Sequence, residues 1–311
     1  MKKKTLFGLL TPLMALSFTA CGPIAPKYEY NVDMSRMRFQ NQIKGTAFDP
    51  TGLRVVGTAK NCDCSIEAEF TVDGPEIIEG DTWEAVVHAE GQDFNISGQT
   101  RDKIKVACVG DSLTYGHVWQ SEAYPVYLQE YLGTERFTIG NFGENGTSIT
   151  GYGGSYDNPN NRYITRQVYK DSVKFNPDVI VMCLGTNDGT NWTSAQATFV
   201  EYYHVLVDSY IEQFPDAQWV LMVSPPCVTP NTYGIQNEIM RDNINPVQRA
   251  IAEEYGFEIV DLREEFEAME GGFDSMLRPT WNGQVDKVHF SKEGAQYVAN
   301  RVKEAMENFT F

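Results

Sequence analysis

Polar clusters between residues 110 and 289 contain the side chains that acyl transfer requires. Ser112, within Gly110-Asp111-Ser112-Leu113, carries a hydroxyl that becomes a nucleophile when a base takes its proton. His289 can be that base, and Asp286, three residues earlier, can fix the imidazole tautomer and stabilise its cation. The residue types and their order therefore predict a Ser112–His289–Asp286 catalytic triad.

Acyl transfer also needs hydrogen-bond donors for the negative charge that develops on the carbonyl oxygen. The backbone N–H of Gly146, the side-chain amide of Asn187 and the backbone N–H of Ser112 are the candidates. Gly143 is the rival of Gly146 for the glycine position. Loss of one such donor typically lowers the rate by about 10²–10³.

Other polar residues near these clusters have simpler interpretations. Asp111 and Asp188 are expected to be structural acceptors, and His117 is expected to have a packing or surface role. Three aromatic residues are left open between lining a sugar-binding cleft and ordinary packing: Tyr115, Trp192 and Trp281. The triad itself requires no metal, so no cofactor is predicted.

The elements that position these residues alternate between strand and helix from about residue 101 onward. Five apolar runs read as buried strands, and they begin at Ile104, Phe137, Val179, Trp219 and Phe257. Helical patterns fall at about 122–132, 162–175, 194–213, 236–255 and 291–308. Strands joined by such helices form right-handed crossovers and a parallel sheet, whose carboxyl edge is where ligands bind. The predicted fold class is α/β, with a five-stranded sheet between helices over residues 101–311.

Residues 37–100 have a different pattern. Short alternating runs such as Ile66–Val72 and Trp83–Val87 lie between turn signals, and no long helical pattern is present. A small all-β sandwich is predicted for this segment. The order Val56-Gly57-Thr58-Ala59, then Val72-Asp73-Gly74, then Trp83 resembles bacterial Ig-like modules.

The first residues read as an export signal. Lys2, Lys3 and Lys4 precede an uncharged, mostly apolar stretch that is too short to span a membrane, so residues 1–20 are predicted to be a signal peptide. Phe18-Thr19-Ala20-Cys21 resembles a bacterial lipobox, which implies lipidation of Cys21 and a tether over residues 21–36. The expected location is the bacterial cell envelope or surface, with plain secretion as the alternative.

The charge and the cysteines exclude several classes of partner and site. The formal net charge of -17, from 25 basic and 42 acidic residues, argues against nucleic acid as a partner. The six cysteines suggest no disulfide framework, and Cys62-x-Cys64 lacks further ligands for a convincing zinc site.

Taken together in order, the four motifs resemble the sequence blocks of the SGNH (GDSL) hydrolases across residues 103–308. These motifs are Gly110–Leu113, Asn141–Gly146, Gly185–Asp188 and Asp286-x-x-His289. The resemblance implies a flavodoxin-like sheet, Ser112 as nucleophile, Gly146 and Asn187 as oxyanion donors, and Asp286 with His289 as the rest of the triad. No G-x-S-x-G elbow is present, which argues against the α/β-hydrolase fold.

The substrate expectation rests on a narrower resemblance. Residues 177–192 are similar to the branch that contains sialate O-acetylesterases and acetylxylan esterases, which implies acetyl ester hydrolysis on an O-acetylated glycan. A lipase, lysophospholipase or thioesterase of the same family is the alternative enzyme. A glycan-binding surface lipoprotein with an inactive esterase domain is the alternative without catalysis.

Overall fold

The computed structural model describes residues 27–60, 64–117, 119–153 and 156–311. The predicted signal peptide, the lipidation site Cys21 and Cys62 lie outside these residues. The described chain forms two units, one with the residues up to Lys103 together with Phe309–Phe311, and one with Ile104–Asn308. Within the described residues, no helix combines the length and apolar character needed to cross a membrane.

The N-terminal unit is built from two sheets, as the strand-rich sequence pattern predicts. One sheet pairs β1, β3 and β4 antiparallel, and the other has the order β2-β7-β6-β5. Buried residues alternate along β6, where Trp83 packs against Phe48 with ring centroids 4.9 Å apart. The resemblance to an Ig-like module stays a prediction. The strands are β1 Tyr28–Asp33, β2 Gln42–Ile43, β3 Arg54–Ala59, β4 Ser65–Ala68, β5 Thr71–Asp73, β6 Thr82–Ala89 and β7 Gln92–Arg101.

Residues 309–311 belong to this N-terminal unit, although the sequence pattern groups them with the hydrolase domain. The backbone N–H of Phe311 donates to the Arg38 carbonyl, and the Phe311 carbonyl accepts from the Gln40 N–H, each at 2.6 Å. The Phe311 ring also stacks on Phe39, with centroids 5.7 Å apart. The unit is therefore assembled from two separate stretches of chain.

The second unit contains the predicted parallel sheet of five strands. Its order is β14-β13-β12-β8-β9, and every neighbouring pair is parallel. This is the flavodoxin order, in which the first strand lies between the second and third and the chain reverses direction beside it. The five-stranded α/β prediction is confirmed. The strands of the sheet are β8 Ile104–Gly110, β9 Phe137–Gly143, β12 Val179–Cys183, β13 Gln218–Val223 and β14 Glu258–Asp261. Two short antiparallel pairs are also present among the described residues, β10 Tyr152–Gly153 with β11 Tyr156–Asp157, and β15 Thr280–Trp281 with β16 Gln284–Val285.

Helices cover both faces of this sheet. One face packs Ala107 and Val109 against side chains of α5 and α7, whereas on the other face Tyr124 of α2 lies beside the Cys108 thiol. Burial raises the pKa of that thiol to about 12, so it is an inert core group. The helices are α1 Ser112–Tyr115, α2 Tyr124–Leu132, α3 Gln167–Phe175, α4 Trp192–Ala195, α5 Phe199–Ile211, α6 Asn237–Ile239, α7 Asn245–Tyr255, α8 Leu262–Glu267 and α9 Lys292–Ala305.

Two helical segments differ from the sequence expectation. The pattern at 236–255 predicts one helix, but a π-helical turn over Met240–Ile244 separates α6 from α7. Pro246 follows this turn, and a proline has no N–H to continue the helical hydrogen bonds. Helix α8 was missed, although Asp261 caps it by accepting a hydrogen bond from the Glu264 N–H at 3.0 Å.

Candidate active site

The structure brings the three predicted triad residues into one hydrogen-bonded chain. His289 Nε2 lies 2.8 Å from Ser112 Oγ, and His289 Nδ1 lies 3.0 and 3.1 Å from the two carboxylate oxygens of Asp286. All three side chains are largely buried, with Ser112 9% exposed and Asp286 fully enclosed. Residues 177 positions apart in sequence therefore have the spatial relation of a nucleophile, a base and an orienting acid.

A tight turn fixes the acid and the base relative to each other. Asp286 Oδ1 accepts hydrogen bonds from the backbone N–H groups of Val288 and His289, at 3.1 and 3.0 Å. The turn places Lys287 in the left-handed region at φ 55°, and its carbonyl accepts from the Val228 N–H. This anchoring fixes the backbone of the turn that carries both Asp286 and His289.

Asp286 is held in its ionised form. Burial would raise the pKa of this carboxyl group, but hydrogen bonds and the charge of His289 lower it below the usual value overall. The Tyr233 hydroxyl also donates to Asp286 Oδ2, at 3.3 Å. The carboxylate can therefore stabilise the imidazolium that forms when His289 takes the Ser112 proton.

The three candidate oxyanion donors lie in the segments that follow strands β8, β9 and β12. Ser112 is the first residue of α1, and Gly146 lies in the loop after β9 with φ 75°. Within the described residues, neither backbone N–H has a hydrogen-bond acceptor. The Asn187 amide donates one N–H to the Thr147 carbonyl at 2.8 Å, which leaves its second N–H for a ligand.

Asp188 joins the loop after β9 to the loop after β12. It is fully buried and accepts from the backbone N–H groups of Ile149 and Thr150, and from the Thr150 hydroxyl at 2.6 Å. Burial raises the pKa of Asp188 to about 6, and these donors oppose the shift. The side chain thus positions the segment that carries Gly146 relative to Asn187, the structural role that the sequence suggests.

Gly143 performs a separate, steric function. A Cβ atom at this position would lie 2.2 Å from the Tyr115 backbone nitrogen, so only glycine lets β9 approach α1 so closely. The residue thereby supports the helix that begins with Ser112.

Asp111 caps the nucleophile helix from a fully buried position. Its Oδ1 accepts from the Leu113 N–H at 2.9 Å, whereas its Oδ2 has no hydrogen-bond partner among the described residues. Burial raises the pKa of Asp111 to about 7, the Leu113 N–H opposes this, and the charge of Asp188 adds to it. Asp111 therefore caps the helix, and its pKa is well above that of an ordinary aspartate.

His117 is the site residue that sequence reasoning missed. Its ring stacks on His289 with centroids 4.1 Å apart and planes within 5°, and its Nε2 lies 3.2 Å from the Tyr233 hydroxyl. Burial, and next the charge of His289, lower the pKa of His117 to about 4, so the ring is neutral at pH 7. The sequence offers only the position of His117, five residues after Ser112, and the structure adds that the N–H groups of Gly116 and His117 both donate to the Ser112 carbonyl.

The three aromatic residues left open by the sequence have different surroundings. Trp281, from the β15–β16 hairpin, contacts the His117 ring at 5.6 Å and so belongs to the site. Trp192 packs edge-on against Phe199 at 5.4 Å and joins the hydrophobic core. The Tyr115 carbonyl accepts a hydrogen bond from the Asn141 amide at 3.4 Å.

His117, Asp286 and His289 are also a potential metal-binding group within the described residues, since their ligand atoms lie within 4.8 Å of one another. The two imidazole rings are parallel, however, so their in-plane lone pairs run side by side and do not converge on one point. His289 Nδ1 is already bonded to Asp286. The arrangement suits a triad covered by a second ring better than a metal site.

A flavodoxin-ordered sheet with these blocks at its carboxyl edge is the fold of the SGNH hydrolases. Residues 108–297 match the GDSL-like Lipase/Acylhydrolase family, and the chain belongs to this family. Its catalytic unit is accordingly a carboxylic ester hydrolase domain.

Individual relatives agree with this assignment. An acetylxylan esterase from Xylanibacter ruminicola is 26% identical over 234 residues, which are 68% of this chain and 45% of the relative. The chain thus spans about half the length of that protein. Among solved structures, the match to an acetyl xylan esterase (21% identity, TM-score 0.50) covers 65% of this chain and 99% of the esterase chain. The match to the lipase/acylhydrolase from Enterococcus faecalis (18% identity, TM-score 0.50) covers 66% of this chain and 95% of the chain of that structure. At these identities the two structures show the shared fold.

Proposed function

We propose that the protein hydrolyses short-chain acyl esters, above all acetyl esters of carbohydrates, through an acyl-enzyme formed on Ser112. The observation that carries this proposal is the 2.8 Å contact between Ser112 Oγ and His289 Nε2, continued to Asp286. The geometry allows His289 to remove the Ser112 proton as the hydroxyl attacks an ester carbonyl.

The proposed reaction consists of the acylation of Ser112 and the hydrolysis of the resulting acyl-enzyme. Ser112 Oγ bonds to the carbonyl carbon while its proton moves to His289 Nε2, and the oxyanion accepts hydrogen bonds from Ser112, Gly146 and Asn187. The tetrahedral intermediate collapses, His289 protonates the leaving alcohol, and the acyl group remains on Ser112. A water molecule then attacks the acyl carbon while its proton moves to His289 Nε2. The second tetrahedral intermediate collapses, its bond to Ser112 Oγ breaks, His289 returns the proton to Ser112 Oγ, and the carboxylic acid leaves.

Two observations favour a carbohydrate ester over a lipid. The curated relative is an acetylxylan esterase, and it matches more than two thirds of this chain. Aromatic rings also gather beside the triad, where Trp281 contacts His117 and Trp119 is 50% exposed. Flat, exposed aromatic faces suit the apolar faces of sugar rings.

The proposal is tested with a soluble protein that begins after Cys21. We expect 4-nitrophenyl acetate to be cleaved faster than the butyrate, the butyrate faster than the octanoate, and acetate to be released from acetylated xylan. Ser112→Ala should abolish all of these activities, and a serine-directed phosphonate should label Ser112 of the wild type. A preference for octanoate would support the lipase or thioesterase alternative, and a folded protein that neither turns over nor is labelled would support the binding protein.

We further propose that Cys21 carries a lipid that anchors the protein to the bacterial cell envelope. The support is the basic and apolar leader followed by Thr19-Ala20-Cys21. In cells, Cys21→Ala should move the protein from the membrane fraction to the soluble fraction. A wild-type protein that is already soluble would contradict the anchor and favour secretion.

A further inference from the structure

Arg278 is a half-buried cation beside the triad, and its charge has no partner within the described residues. Its guanidinium forms no hydrogen bond or ion pair there, and its buried Nη1 atom has no acceptor. Other arginines of the same unit are paired, such as Arg249 with Asp261 at 2.6 Å and Arg301 with Glu265 at 3.0 Å. Buried polar groups are normally hydrogen-bonded, so an unpaired guanidinium in so acidic a chain needs an explanation.

The backbone places Arg278 directly alongside the catalytic histidine. The Arg278 N–H donates to the His289 carbonyl at 2.7 Å, and the Arg278 carbonyl accepts from the Lys287 N–H at 2.8 Å. These bonds hold the Arg278 backbone next to the Asp286–His289 turn, independently of the conformation of the Arg278 side chain. Main-chain contacts therefore hold the residue at the site, and the guanidinium is available to a ligand.

The acidic groups that face Arg278 form no ion pair with it within the described residues. Burial lowers the pKa of its guanidinium, while Asp286, Tyr233 and Glu122 act in the opposite direction. Asp286 is already engaged by His289, two backbone N–H groups and Tyr233. Glu122 is partly buried and forms no ion pair with Arg278. The guanidinium N–H groups of Arg278 therefore have no protein acceptor among the described residues.

An exposed aromatic face lies next to this charge. The guanidinium carbon of Arg278 lies 5.8 Å from the ring centroid of Trp119, whose side chain is half-exposed. Trp119 follows His117 by two residues, and the His117 ring covers His289. A flat apolar surface and a cation thus lie together beside the nucleophile's base.

We propose that Arg278 and Trp119 form a subsite for a sugar that carries a carboxylate, so that the preferred substrate is an O-acetylated uronic acid or a glycan containing one. The inference rests on the proposed function, because it names the alcohol part of the ester. The planar guanidinium matches a carboxylate through paired N–H groups, and the indole face packs against the sugar ring. The net charge of -17 repels anions at long range, so any preference for an acidic sugar must come from such a local contact.

The test compares two sugars that differ only at the carboxyl group, which is charged in one and a neutral methyl ester in the other. Acetate release is measured from a fully acetylated methyl glucuronoside with a free carboxylate, and from the same sugar as its carboxylate methyl ester. For the wild type we expect kcat/KM to be about tenfold or more higher with the free acid, mainly through a lower KM. Arg278→Gln should reduce this ratio to about one, and Arg278→Lys should retain part of it. Trp119→Ala should lower kcat/KM for both sugars alike.

Arg241→Gln is the matched control, since Arg241 is an exposed arginine that pairs with its neighbour Asp242. It should keep the wild-type ratio. Equal rates of the wild type on the acid and its methyl ester would overturn the inference without any variant, as would an unchanged preference in Arg278→Gln. Failure of the proposed function has a different signature, in which neither sugar releases acetate while 4-nitrophenyl octanoate is cleaved.

Discussion

The buried cap of the nucleophile helix should make the stability of the protein depend on pH. Asp111 is fully buried, one of its oxygens has no partner among the described residues, and its pKa is raised from 3.8 to about 7. A raised pKa means that the folded state binds the proton more tightly than the unfolded state. The resulting stabilisation is fully present below pH 3.8 and is lost as pH rises to about 7.

The size of the effect follows from the shift. One pKa unit corresponds to about 1.4 kcal/mol, so complete ionisation of Asp111 costs about 4 kcal/mol of folding free energy. About 3 kcal/mol of this should be lost between pH 5 and pH 8. Asp111→Asn keeps an oxygen that can accept from the Leu113 N–H but cannot ionise. The variant has its own constant offset in stability, and only the change with pH is diagnostic.

Urea unfolding of the wild type and Asp111→Asn at pH 5, 6, 7 and 8 would measure this change. Tryptophan fluorescence suits the experiment because four of the five tryptophans lie in the catalytic unit and only Trp83 lies in the other. We expect the free energy of unfolding of the wild type, relative to the variant, to fall by about 3 kcal/mol across the series. Asp188 remains in both proteins, so its own titration largely cancels.

A difference that stays constant from pH 5 to pH 8 would refute the reasoning. It would mean that Asp111 is already ionised at pH 5 in the folded protein, and that its unpartnered oxygen is solvated or bonded in solution.

Further predictions concern catalysis. Asp286→Asn should lower kcat by about 10⁴-fold with the circular dichroism spectrum unchanged, because His289 loses the acceptor that fixes its tautomer. An unaltered kcat would remove Asp286 from the triad. Asn187→Ala should lower kcat on 4-nitrophenyl acetate by about 10²–10³, whereas an effect on KM alone would indicate a binding role. His117→Ala should lower kcat roughly three- to tenfold, and His117→Phe, which keeps a ring over His289, should recover most of the loss. Equal losses in both variants would point instead to the bond between His117 and Tyr233.

The sheet and the positions of the site residues could be predicted because both depend on local patterns. Continuous apolar runs mark the strands, and in a parallel sheet all carboxyl ends meet at one edge. Each polar cluster directly follows such a run, as Gly110–Leu113 follows β8 and Gly185–Asp188 follows β12. Order along the chain was therefore sufficient to place Ser112 and Asn187 near each other.

Contacts between residues that are far apart in the sequence could not be predicted from it. The Tyr233 hydroxyl reaches Asp286 over 53 residues, and nothing in the surrounding sequence distinguishes this tyrosine from others. The stacking of His117 on His289 likewise depends on how a one-turn helix ends against a distant loop. The turn at Met240–Ile244 was missed because apolar spacing alone does not separate α from π turns.

The return of residues 309–311 to the first unit has a consequence for biosynthesis. Arg38 and Gln40 find their backbone partner in Phe311, which the ribosome adds only after the entire catalytic unit. Domains usually fold in the order in which they are synthesised, but here the first unit stays unfinished until the second has been made. The catalytic unit is topologically an insertion, and a fragment ending at Lys103 would leave Phe39 without its stacked ring.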